Sequence, residues 1–223
     1  MLYRLPRLLT REELASLRII AARCTFADGR STAGDLVRDV KNNRQVDDAG
    51  EDQAIIDRIV LGALGRNPVF QYAVLPRAVR RPFLNAYRDG ETYGMHVDNP
   101  ILSGRTPLRT DVSVTVFLSE PASYDGGELI VELPGGTATI KMDAGDAVAY
   151  SGRRLHRVAP VTRGERLAAI TWAQSLVADE AQREALYDLH VAMSGVAAKL
   201  PGSPEADLLF KTYANLVRSW SAV

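Results

Sequence analysis

At 223 residues, 46% hydrophobic and 24% charged, the chain has the size and balance of one globular domain with a small appendage and is too short for two full domains. Twenty-seven basic residues against twenty-seven acidic ones leave no formal net charge, so nothing global draws the protein to nucleic acid or to an anionic membrane. Cys24 has no partner for an intrachain disulfide, no apolar run approaches the roughly 20 residues of a membrane span, and the N-terminal stretch lacks a signal core, so the expected setting is the cytoplasm.

The pattern divides the chain into three zones: a mixed α/β segment over 1–76, a β-rich segment over 77–177 and a helical extension over 178–223. In the first, Thr10 followed by Glu13 forms a capping box, and Leu14, Leu17, Ile20 and Ala21 give the helical stripe behind it. A second helix is expected from Asp48 to Leu64, with Ile55, Ile56, Ile59 and Val60 on its buried face. The middle zone predicts strands at Ala78–Tyr87, Asp111–Leu118, Glu128–Glu132, Thr137–Lys141, Ala147–Tyr150 and Leu167–Ala173. Gly-rich turns such as Tyr124-Asp125-Gly126-Gly127 and Ala144-Gly145-Asp146 separate them, a punctuation that suggests a sandwich or jelly roll. In the extension, Asp179 caps a helix striped by Leu186, Leu189, Met193, Val196 and Leu200. After Pro201-Gly202, Ser203 and Pro204 start a second helix, striped by Leu209, Tyr213, Leu216 and Trp220. This pair is too small to fold alone and must pack on the β domain or on another subunit, which leaves homo-oligomerisation open.

Two of the three histidines fall in the β zone. His96 and Asp98 stand two apart, so an extended backbone turns both side chains to one face. With His156 from a distant strand they would complete a two-histidine, one-carboxylate facial triad, the open set typical of non-haem Fe(II) oxygenases. His156 reads equally as a buried histidine bonded to backbone. Arg166 follows it by ten residues, beyond an arch at Pro160–Glu165. Iron chelating 2-oxoglutarate leaves the cosubstrate's far carboxylate in need of a cation, and a guanidinium offers it two parallel donors. Strand alternation would put Ala168, Ile170 and Trp172 on Arg166's face, although a surface arginine after a turn fits the residue alone. Arg109, Asp111, Ser113 and Thr115 alternate on another strand, either lining the barrel mouth or forming a solvated sheet face. Arg153, Arg154 and Arg157 near the mouth would favour an acidic substrate, or are simply solvated. Gly126-Gly127 suggests a tight turn, and His190 a structural position beside the helical stripe.

In order along the chain, His96-Val-Asp-Asn-Pro100, Phe117-Leu-Ser-Glu-Pro121, Tyr124-Asp-Gly-Gly-Glu-Leu129, Gly145-Asp146, Leu155-His156, Pro160-Val-Thr-Arg-Gly-Glu-Arg166 and Trp172 resemble the prolyl 4-hydroxylase-like dioxygenases. The resemblance is strongest to the bacterial PKHD-type hydroxylases, whose C-terminal extension Tyr213-Ala-Asn-Leu-Val-Arg218-Ser-Trp220 also resembles. It implies a mostly β fold with flanking helices, a double-stranded β-helix core carrying the extension. It further implies Fe(II) on His96, Asp98 and His156, which act in catalysis through the iron, and 2-oxoglutarate on Arg166. Tyr87, nine residues before His96, takes the place of a tyrosine that hydrogen-bonds the cosubstrate; a core tyrosine ending a strand fits it as well. The implied activity consumes 2-oxoglutarate and O2, releases succinate and CO2, and hydroxylates a prolyl or lysyl residue or a small metabolite, with ascorbate helping to keep the iron reduced. The competing reading is a non-catalytic cupin-like metal-binding or sensor protein, which would need His and Asp but not Arg166.

Overall fold

The computed structural model describes residues 1–32, 38–46, 49–104 and 106–222. The chain opens with β1 (Leu2–Leu5), α1 (Arg11–Arg23), β2 (Phe26–Asp28), β3 (Lys41–Asn42) and β4 (Arg44–Val46), followed by α2 (Asp52–Arg66) and α3 (Pro68–Val74). Next come β5 (Pro76–Val79), β6 (Phe83–Tyr87), β7 (Thr92–His96), β8 (Ile101–Leu102), β9 (Leu108–Arg109), β10 (Val112–Phe117) and β11 (Asp125–Gly126). The β zone ends with β12 (Leu129–Leu133), β13 (Gly136–Ile140), β14 (Ala147–Ser151), β15 (His156–Val158), β16 (Val161–Arg163) and the long β17 (Arg166–Ser175), and α4 (Glu180–Lys199) and α5 (Pro204–Trp220) complete the chain.

Two sheets form the sandwich of a jelly roll, the double-stranded β-helix. The major one runs β1-β14-β10-β17-β6-β4-β2, with β5 also on β17, and the minor one runs β13-β12-β15-β7-β3. Alternation decides what each face of the major sheet does. Val112, Val114 and Val116 of β10 and Ala169 and Ala173 of β17 join Leu17 and Ile20 of α1, Ile56 and Val60 of α2 and Phe70 of α3 in one buried cluster, so the N-terminal helices cover the outer face. The residues between them turn inward. Ser113 and Thr115 are buried there, as is Asp111 at the head of β10, so this polar set is interior and not a solvated face.

The structure corrects the expected element boundaries in a few places. The capping box at Thr10 and Glu13 is present, as are the caps at Asp179 and Ser203. Helix α2 begins at Asp52; Asp48 lies outside the described residues. The single strand expected over Ala78–Tyr87 is two, interrupted at Arg80-Arg81-Pro82, where Pro82 has no N–H to give to a ladder. Helix α3 was not foreseen, although Asn67 caps it by accepting from Phe70 N and Pro68 occupies its first turn.

Candidate active site

The minor sheet carries the histidines. β15 and β7 run antiparallel with His156 opposite His96, and the two rings lie 4.2 Å apart. Both histidines are buried. His96 Nδ1–H donates to Gly94 O at 2.7 Å and His156 Nδ1–H to Arg154 O at 2.9 Å. A carbonyl only accepts, so each Nδ1 carries a proton, and in the neutral ring the lone pair then falls on Nε2, the state required of a metal ligand. Tyr93 stacks on His96 at 3.6 Å, and Tyr150 meets His156 edge-on at 5.0 Å, which holds both rings in place. Burial, and after it the neighbouring His156, lowers the His96 pKa to about 4, so the ring is neutral at physiological pH.

Asp98 completes the group. Its Oδ1 lies 3.8 Å from His156 Nε2, while Ser113 Oγ–H donates to Oδ2. One donor atom from each of His96, Asp98 and His156 fits within 4.8 Å of the others, the only such cluster among the described residues. Behind the carboxylate the chain passes too close for a side chain: a Cβ on Gly152 would stand 2.4 Å from Thr110 O. Two neutral imidazole nitrogens and one carboxylate oxygen suit Fe(II) and leave further coordination positions free.

Arg166 heads β17 in register with Tyr87 of β6 and is 1% exposed. Its guanidinium lies 5.2 Å from the Tyr87 ring and 5.5 Å from the Phe117 ring, while its Nε and Nη1 are buried without an acceptor. No carboxylate among the described residues pairs with it. Gly127 permits this packing. At φ +67° it adopts a conformation that disfavours side chains, and a Cβ there would stand 3.0 Å from Arg166 Cδ. Tyr87 OH accepts from Asn43 Nδ2 at 3.0 Å, which leaves its own proton to donate; burial raises its pKa. A buried cation with two orphan donors is the cradle that a free carboxylate would complete.

These groups line one cavity of about 1080 Å³ that holds Tyr87, His96, Asp98, His156 and Arg166. The inner row of β17 runs along its wall as Arg166, Ile170, Trp172 and Gln174, as alternation predicted. Several contributors had no assigned role in the sequence reading: Tyr93, Tyr150, the Ser113 hydroxyl and Asn85, whose buried Oδ1 lacks a partner. Ser113 alone was signalled, by its place in a polar alternation. Of the arginines expected at the mouth, Arg153 reaches Ala178 O and Arg154 pairs with Glu180, and Arg157 on β15 is not among the residues that line the cavity. The cavity is instead lined by Arg77, Arg80 and Arg81. His190 stacks on Tyr72 at 3.5 Å beside Tyr213, a packing role away from the site.

Comparison with known proteins agrees with this geometry. The 2OG-Fe(II) oxygenase superfamily model matches residues 82–174, and the model of the PKHD-type hydroxylase C-terminal domain matches residues 180–222. A PKHD-type hydroxylase of Xanthomonas euvesicatoria is 43% identical over 231 residues, covering 100% of both chains. Among solved structures, a Pseudomonas putida prolyl-4-hydroxylase superposes with a TM-score of 0.51 at 22% identity, over 78% of this chain and 92% of that one. A Trichoplax adhaerens prolyl hydroxylase, solved with a hypoxia inducible factor peptide fragment, gives 0.55 at 14% identity, over 83% and 86%. These two likenesses speak for the fold. With named relatives matched end to end and both segments recognised by their family models, the chain belongs to the PKHD-type hydroxylases, Fe(II)- and 2-oxoglutarate-dependent dioxygenases.

Proposed function

We propose that this hydroxylase holds its iron on His96 Nε2, His156 Nε2 and Asp98 Oδ1, and its 2-oxoglutarate by the far carboxylate on Arg166, with Tyr87 donating its hydroxyl proton to the cosubstrate. The observation that carries the reading is the pairing, in one cavity, of three convergent donor atoms with a buried guanidinium that has no counter-ion among the described residues. When bound, iron and 2-oxoglutarate supply the oxidative decarboxylation to succinate and CO2 that activates O2 for hydroxylation. The chain's own part is positional. Backbone carbonyls fix both histidine tautomers, Ser113 occupies one carboxylate oxygen of Asp98, and Tyr93 and Tyr150 hold the imidazole planes. A cupin-like storage module would have no use for a desolvated Arg166.

The same reading divides the chain into an N-terminal segment (1–76) that packs on the core, a catalytic core (77–177) and a helical extension (178–223). It takes a prolyl or lysyl residue or a small metabolite as substrate, and ascorbate as the external reductant that keeps the iron reduced. The test is anaerobic titration with Fe(II) and 2-oxoglutarate, followed by succinate release on admitting O2. His96→Ala and Asp98→Ala abolish succinate formation and metal binding together, whereas Arg166→Ala raises the 2-oxoglutarate requirement far more than it weakens the metal. Wild-type turnover in either ligand variant refutes the assignment.

A further inference from the structure

The cavity is far larger than the cosubstrate. Ordinary ligand pockets span about 300–1,000 Å³, and this one reaches about 1080 Å³. From Arg166 to Trp172 the inner row of β17 covers six residues, roughly 20 Å at a strand's rise. With 2-oxoglutarate held between Arg166 and the metal group, the outer half, at the end of the row at Trp172 opposite Ser113, is left to whatever is to be hydroxylated.

Two observations in that outer half point to the same kind of partner. The first is a charge. Leaving aside the residues assigned to iron and 2-oxoglutarate, the lining carries Lys41, Arg77, Arg80 and Arg81 against Asp28 alone. Arg81 is neutralised by Asp57 at 2.7 Å, and Arg77 is exposed. Arg80 is half-buried, and its guanidinium meets a backbone carbonyl, Ser103 O at 3.1 Å, and no carboxylate among the described residues. A carbonyl satisfies one donor but does not cancel a charge, so a partly desolvated cation there calls for an anion. The second observation is a donor. Trp172 Nε1–H is buried and has no acceptor among the described residues, while its ring packs on Phe83 at 5.6 Å. The two residues are neighbours, since Arg80 N–H donates to Trp172 O at 2.8 Å across the strand break.

We propose that this outer half is a carboxylate-reading subsite, in which the Arg80 guanidinium and the Trp172 indole N–H hold an acidic group of the substrate while the carbon to be hydroxylated lies toward His96, Asp98 and His156. The proposal rests on the reading of the inner half as the iron and 2-oxoglutarate site. Arg80 is the half-buried arginine of this lining that meets no carboxylate among the described residues, and its single charge matches a single carboxylate; a doubly charged phosphate would leave charge over. The planar guanidinium and the indole offer donors to both carboxylate oxygens, and the Trp172–Phe83 pair gives the adjoining carbons an apolar wall. The substrate is thus an acidic one, a peptide segment with Asp or Glu near the target residue or a metabolite with a carboxylate.

The experiment uses the full chain carrying Trp220→Phe, which leaves Trp172 as its one tryptophan. It is loaded with Mn(II) and saturating 2-oxoglutarate without O2, so that Arg166 is already occupied when a second carboxylate arrives. The probes are N-acetylated dipeptide amides in matched pairs, Pro-Glu with Pro-Gln, Leu-Glu with Leu-Gln and Lys-Glu with Lys-Gln, read by Trp172 fluorescence and by calorimetry. In at least one pair the Glu probe binds roughly ten-fold more tightly than its Gln partner, the effect of one charged hydrogen-bonded contact. Arg80→Gln removes the difference, Arg80→Lys keeps part of it, and Trp172→Phe, which retains the ring but not the N–H, reduces it by calorimetry. Equal affinities in every pair, or a preference that survives Arg80→Gln, overturn the proposal. If Mn(II) and 2-oxoglutarate do not load, it is the inner-half reading that falls, and the same comparison on the metal-free protein decides the outer one.

Discussion

Arg166→Met tests the cosubstrate site through stability as well as activity, because the structure makes the wild-type residue a liability when nothing binds it. Its Nε and Nη1 are buried without acceptors, each at a cost of about 1–3 kcal/mol. Against that stand the rings of Tyr87 and Phe117, each contributing about 0.5–2 kcal/mol to a cation over its face. Methionine has a similar reach, fills the same channel beside Gly127 and carries neither charge nor donors. The balance favours Met by about 1–2 kcal/mol, which for a chain of this size raises the melting temperature by roughly 2–8 °C. At a hundred times its dissociation constant 2-oxoglutarate stabilises the wild type by about 2.7 kcal/mol, and the variant loses that gain. Melting curves of Mn(II)-loaded protein should therefore cross: the variant melts higher without 2-oxoglutarate and lower with it. A variant that is the less stable of the two without cosubstrate, or that keeps the cosubstrate-dependent shift, refutes the account of Arg166 as a cation waiting for a carboxylate.

Two further predictions concern the metal group. Ser113→Ala frees Asp98 Oδ2 and should weaken Mn(II) binding by about 10–100-fold in calorimetry, with Ser113→Thr restoring most of it; unchanged affinity would make the hydroxyl a bystander. In the metal-free protein His96 titrates near 4 when folded against 6.5 when free, so between those values the unfolded chain takes up a proton that the folded one does not. That contribution to stability is intact above about pH 6.5, is lost as the pH falls toward 4 and changes no further below it. Urea midpoints of wild type and His96→Gln should diverge across that window, and parallel curves would count against a buried neutral ring.

Much of the site was legible because strand alternation is strict. Once Arg166 is placed on a strand, Ile170 and Trp172 must share its face, and both line the cavity with it. The two-residue spacing of His96 and Asp98 put both on one face, but only Arg166 and the ordered motifs around them made them candidate ligands; the helical extension was legible from its caps and stripe. What escaped had a physical reason in each case. Strands β1, β3 and β4 have two to four residues, too few to show a period, and exist because the major and minor sheets offer them edges. The break at Arg80-Arg81-Pro82 was hidden by the apolar residues on either side, which read as one strand, and with it went the turn that carries Arg80 into the cavity. Arg153 and Arg154 sit close to His156 in sequence, yet charge alone does not say which way a side chain leaves a turn. Theirs leave toward α4.

That departure ties the extension to the turn before His156. Glu180, in the first turn of α4, accepts from Ser151 Oγ at 2.8 Å and from Arg154 Nη2 at 3.0 Å, so one carboxylate clasps both ends of the turn between β14 and β15. Arg154 N donates to Ser151 O at 3.1 Å inside the same turn, and Arg154 O is the acceptor that sets the tautomer of His156. The helix is itself anchored where β17 ends. The fully buried Arg183 donates from Nη1 to Val177 O and Ala178 O, and Ala222 N, just past α5, donates to Leu176 O. The chain of contacts that ends on the His156 imidazole therefore begins in α4, the element that follows the last strand residue lining the cavity. The helical pair lends no residue to the cavity lining, yet through Glu180 it holds the turn whose carbonyl orients His156.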